Sequence, residues 1–157
     1  MYLAKEAKIV LANVPVDINN LAVTGDYVSM KGWSHCTMIL QFGAVGTGTA
    51  LTLKQATDVT NSLSDEKALS YDKIYINVGL STTTLTETTV TSDTYTVGSD
   101  PNNLYVIEID AAELDVNNGF DCVRFNLASG AGTTLLAATY ILSGARYSGN
   151  DVNAIID

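Results

Sequence analysis

Between residues 35 and 42 polar and apolar side chains alternate, with Cys36, Met38, Leu40 and Phe42 on one face and Thr37, Ile39 and Gln41 on the other. Period two with one fully apolar face predicts a half-buried strand. After Gly43-Ala44-Val45-Gly46-Thr47-Gly48 the alternation resumes over residues 50–55, Leu51 and Leu53 pointing one way and Thr52 and Lys54 the other. Together the two segments read as a hairpin with a glycine-rich turn. Residues 68–78 predict a further strand, with Tyr75 opposite Ile74 and Ile76. The threonine-rich residues 82–96 fit two short solvated strands or a wandering edge. Residues 104–110 (LYVIEID) are continuous enough for a strand buried on both faces, closing at Glu108 and Asp110. Residues 111–119 allow one helical turn ending at Asn118-Gly119, a pair that favours positive φ and a tight turn. Residues 120–127 alternate again, Val123, Phe125 and Leu127 against Phe120, Cys122 and Arg124. Beyond the turn at residues 129–132, residues 133–142 form the last apolar strand.

Seven to nine strands, separated by Gly, Asn, Asp and Thr turns and with no helical stripe beyond one or two turns, predict an all-β protein. The expected architecture is an antiparallel β-sandwich, with jelly-roll topology preferred. A doubly wound α/β fold is disfavoured, because the intervals lack the amphipathic helices that parallel crossovers need. Without internal repeat or linker, residues 1–157 read as one sandwich domain with a short N-terminal arm and a C-terminal tail.

Composition narrows the functional classes. With 46% hydrophobic residues the chain can bury a real core, which excludes disorder. Eight Lys and Arg against 17 Asp and Glu leave a net charge of −9, too acidic for a long phosphate-neutralising surface, so nucleic acid is not an expected partner. Much of the polar surface is Thr, Ser and Asn, residues suited to strands and turns. The first residues, MYLAKEAK, lack a signal-peptide pattern, and no apolar run approaches the ~18 residues of a membrane span, so no membrane association is expected. Cys36 and Cys122 lie far apart in apolar settings and read as two buried reduced thiols.

Catalytic chemistry has little to work with. The one histidine, His35, excludes a multi-histidine metal centre and reads as a strand-end residue at a turn. It cannot readily activate Cys36, since neighbouring strand residues face opposite ways. The Gly43-x-x-Gly46-x-Gly48 cluster has the letters of a phosphate loop but opens onto a strand instead of a helix. Asp115-x-Asn117-x-Gly119-x-Asp121 offers oxygen ligands of the kind calcium takes, against the plainer reading of an Asx-type turn. The remaining acids, among them Asp17, Asp58, Asp65, Glu66, Asp100 and Asp110, read as single solvated charges, with no acid and base couple placed by spacing. No elbow, zincin, C-x-x-C or P-loop motif occurs, so no catalytic residue, metal or cofactor is expected.

Several blocks carry a resemblance: residues 15–20 (PVDINN), 25–31 (GDYVSMK), 38–59, 104–128 and 140–147 (YILSGARY). In combination they resemble small virion proteins of tailed phages and prophages associated with head decoration, auxiliary or cement roles. The resemblance implies a jelly-roll-like module without enzymatic activity that forms a dimer or trimer and binds the lattice of the major capsid protein. It places the chain, made in the host cytoplasm, on the outer capsid surface of the virion, where a charge of −9 avoids repulsion by packaged DNA. The candidate apolar anchors are Tyr2, Trp33 and Tyr147. Two other readings are a tail or adsorption component and a carbohydrate-binding sandwich, for which Tyr75, Tyr105 and Trp33 would be the stacking aromatics.

Overall fold

A computed structural model describes residues 3–61, 63–79 and 83–146. A short helix, α1 (Leu3–Glu6), leads into β1 (Lys8–Asp17), β2 (Val23–Thr24), β3 (Val28–Ser29), β4 (Trp33–Phe42) and β5 (Ala50–Ala56). There follow β6 (Lys67–Leu69), β7 (Lys73–Asn77), β8 (Thr86–Thr89), β9 (Thr94–Thr96) and β10 (Leu104–Asp110). Two 3-10 turns, Ala111–Glu113 and Val116–Asn118, precede β11 (Cys122–Leu127) and β12 (Leu135–Ala145). Gly119 at φ 83° ends the second turn in the left-handed region, the backbone state expected of Asn118-Gly119.

The strands form two antiparallel sheets. The first runs β1-β12-β4-β10-β7-β8 and the second β2-β11-β5-β6. β2 and β3 divide one edge of β11 between them, and β6 and β9 divide one edge of β5. Apart from β7 and β8, which extend the first sheet, this is the pair of interleaved four-stranded sheets of a jelly roll. The inward faces supply one buried cluster: Met38, Leu40 and Phe42 of β4, Ile107 and Ile109 of β10, and Tyr140 and Leu142 of β12. These meet Leu51 and Leu53 of β5 and Val123 and Phe125 of β11. The alternation of β4 appears as predicted, with Cys36, Met38, Leu40 and Phe42 each at most 1% exposed.

Three expectations need correction. β4 and β5 are not a hairpin: β4 pairs with β12 and β10, and β5 with β11, β6 and β9, so they lie in opposite sheets. The connecting loop crosses the end of the sandwich and packs on the β11–β12 loop, where Gly46 lies so near the Ala131–Gly132 backbone that a Cβ would collide. Its glycines therefore serve close backbone approach. The strand expected over residues 68–78 is two strands in opposite sheets, β6 and β7, divided at a bend where Tyr71 is buried and its hydroxyl donates to the Leu51 carbonyl at 3.3 Å. The described residues hold twelve strands, more than seven to nine, because β1, β2 and β3 near the N-terminus add to those expected. In β1 the apolar Ile9 and Leu11 face outward between the buried Val10 and Ala12, so alternation of residue type is lost.

Candidate functional site

Register across the first sheet sets its outward side chains in rows. One row runs Leu11, Thr139, Ile39, Val106, Tyr75 and Glu87 from β1 to β8. The next runs Ile9, Ile141, Thr37 and Glu108, and a third Ser143, His35 and Asp110. Leu11 is 66% and Ile9 48% exposed, and Val14 and Leu135 are exposed nearby. At the loop-bearing end of this face lies an open groove of about 670 Å³, bordered by Pro15, Asp17, Gln41, Asn102, Leu104 and Leu135. Asp17 is held there by the backbone N–H groups of Asn19 and Thr134, which donate to Oδ1 at 3.1 and 3.0 Å.

The second sheet shows the opposite character. Its outward rows are Thr24, Asn126, Thr52 and Thr94, then Arg124 and Lys54 beside Ala68. Arg124 pairs with Glu66 and lies over the Tyr27 ring, 4.5 Å from its centroid, while the Tyr27 hydroxyl donates to Glu66 at 2.6 Å. The outer face of the first sheet is thus apolar chiefly on its β1, β12 and β4 side, through Ile9, Leu11, Ile141 and Ile39, whereas that of the second sheet is polar and charged. Chains bury exposed apolar patches of this kind against partners more readily than they bury charged ones.

The far end of the apolar face holds a cluster. His35 Nε2 lies 2.5 Å from Glu108 Oε2 and Nδ1 lies 2.8 Å from Asp110 Oδ1, while the Thr37 hydroxyl donates to Glu108 Oε2 at 2.7 Å. Partial burial works against a charge on the imidazole, but the hydrogen bonds to Asp110 and Glu108 outweigh it and hold His35 above its ordinary value. His35 is therefore held between two carboxyl groups within a strand and is not a plain strand-end histidine, and Asp110 is not a solitary solvated charge. The sequence reading missed this because Glu108 and Asp110 share a face by alternation, whereas their position opposite His35 follows from the β4–β10 pairing.

The other expected residues divide. Trp33 opens β4 opposite Ala145 and packs half-buried against the core, while Tyr2 and Tyr147 lie outside the described residues. Tyr105 is 1% exposed and meets Phe42 edge-on at 5.5 Å, so it cannot stack on a sugar beside Tyr75 and Trp33. In the Asp115–Asp121 turn, Asp115 Oδ2 receives Lys67 and Asn118, and Asp121 receives the Cys122 thiol. Among the described residues no group of three or more His, Cys, Asp or Glu converges on a cation position. Cys36 and Cys122 are both buried free thiols, and burial pushes Cys36 up to about 12.

No family model matches the sequence, and no curated protein matches it. The solved structure of the SPBc2 prophage-derived protein YomS is similar over 88% of this chain and 94% of that chain, at 10% identity and a TM-score of 0.48.

Proposed function

We propose that this protein is a non-enzymatic structural component of a phage virion, which decorates the head shell by laying the outer face of its first sheet, β1-β12-β4-β10-β7-β8, on the major capsid protein. The observation that carries the reading is the contrast between the two outer faces. From Leu11 to Tyr75 the row is apolar except for Thr139 (Leu11, Thr139, Ile39, Val106, Tyr75), and the corresponding row of the other sheet is Thr24, Asn126, Thr52 and Thr94. A module with one such face gains by burying it against a partner and leaving the polar face in water.

The blocks that resemble phage virion proteins support the same reading, and so does the chemistry of the chain. The single histidine has both ring nitrogens engaged, and the two thiols are buried. The net charge of −9 favours the outside of a DNA-filled shell over its interior. Assembly as a dimer or trimer would multiply weak contacts on a symmetric lattice.

Cryo-electron microscopy of the parent particle tests this. Density for the sandwich on the outer shell, with Leu11 and Ile39 against the capsid protein, is the expected result. Finding the chain in the tail, or nowhere in the virion, overturns it.

A further inference from the structure

The cluster at the acidic end of the apolar face has a geometry that suits a doubly protonated imidazole. A neutral imidazole carries one N–H and one lone pair, whereas the imidazolium donates on both sides. With an anionic oxygen beside each ring nitrogen, at 2.5 and 2.8 Å, the neutral ring would set its lone pair against a carboxylate. The imidazolium instead makes two charge-assisted hydrogen bonds. Register places these bonds between strands: His35 is directly opposite Asp110 and Thr37 opposite Glu108, so the ring spans two successive outward positions of β10.

We propose that His35 is a proton-operated clasp. Doubly protonated, it ties β4 to β10 through both carboxylates. Loss of one proton undoes one tie and leaves this end of the apolar face one charge more negative.

The groups facing the ring favour the bound proton. From β10 come Glu108 and Asp110, and from the following 3-10 turn comes Glu113, whose Oε2 accepts the Asp110 backbone N–H at 3.3 Å. The neighbour from β12 is the uncharged Ser143. A histidine held above its unfolded value contributes stability that is complete below about pH 6.5 and lost as pH rises through the folded value. The clasp itself does not depend on how the protein is used. Only its consequence for docking, a shell contact that changes as this end gains negative charge, rests on the proposed function.

NMR titration of the His35 ring in the isolated protein tests the clasp. The expected midpoint lies above about 6.5, with both ring nitrogens protonated below it, and falls to that value or below in the Glu108→Gln, Asp110→Asn double variant. A wild-type midpoint at or below the ordinary value, or one that the double variant leaves in place, overturns the proposal. Thermal unfolding gives an independent reading: the advantage of wild type over His35→Gln should shrink from pH 6 to pH 9, and a constant difference also counts against the clasp. Either failure leaves docking on particles untouched, and failure to bind particles leaves the titration unchanged.

Discussion

Phe125 of β11 and Tyr140 of β12 join the two sheets through the middle of the core. Their rings meet edge-on at 6.3 Å, and the Phe125 backbone N–H donates to the Tyr140 hydroxyl at 3.2 Å. Tyr140 is 1% exposed and burial raises its ionisation well above the usual tyrosine range, so the hydroxyl stays neutral. Tyr140→Phe keeps the ring and leaves the buried N–H without its partner. The expected cost is about 1–3 kcal/mol in urea unfolding. A loss below ~0.5 kcal/mol would mean that this hydrogen bond contributes little to holding the sheets together.

Gly25 packs directly on this pair. A Cβ there would stand 2.5 Å from a Phe125 ring carbon and 2.6 Å from the Tyr140 hydroxyl oxygen. Because both neighbours are fixed in the core, Gly25→Ala should destabilise by about 1–3 kcal/mol through overpacking. Combined with Tyr140→Phe the two effects should be non-additive, which a double-mutant cycle measures.

The outer faces should separate under charge substitution. Leu11 is 66% exposed, so Leu11→Asp should change stability by no more than about 0.5 kcal/mol while lowering co-sedimentation with parent particles. Lys54→Glu, on the polar face, should leave co-sedimentation unchanged. Equal losses from both variants would remove the distinction between the faces.

Glu66 receives both Arg124 and Tyr27, and the Arg124 and Glu66 side chains are only 20% and 23% exposed. Glu66→Gln leaves the guanidinium with a weaker acceptor, and the cost expected from thermal unfolding is about 1–2 kcal/mol, less than for a fully buried pair. Leu63→Ser, at a 72% exposed neighbouring position, is the control and should cost little.

Both thiols should be silent in the native state. With Cys36 pushed up to about 12 and Cys122 also raised, each chiefly by burial, the thiolate is scarce at pH 8. A thiol reagent should therefore modify both cysteines in denaturant and neither at a comparable rate in the folded protein. Rapid native labelling of Cys122 would show that the end of β11 opens.

The alternation of β4 and β11 was legible in the sequence because each has one face in the core and one face outward, so residue type follows burial. β1 was not, because its outward Ile9 and Leu11 are as apolar as its inward Val10. That same feature is the candidate docking face, so the segment hardest to read as a strand is the one the proposed function uses.

By itself the sequence determined that this is an all-β sandwich with buried thiols and an acidic surface, since period-two patterning, turn residues and charge are local or additive properties. The tertiary structure decided which strands are neighbours. It set β4 between β12 and β10 instead of against β5, and so lined Leu11, Ile39 and Val106 up across one outer face and put His35 between Glu108 and Asp110. Those contacts join residues more than 70 positions apart, where pairing depends on how the whole chain buries its apolar side chains and local spacing says nothing.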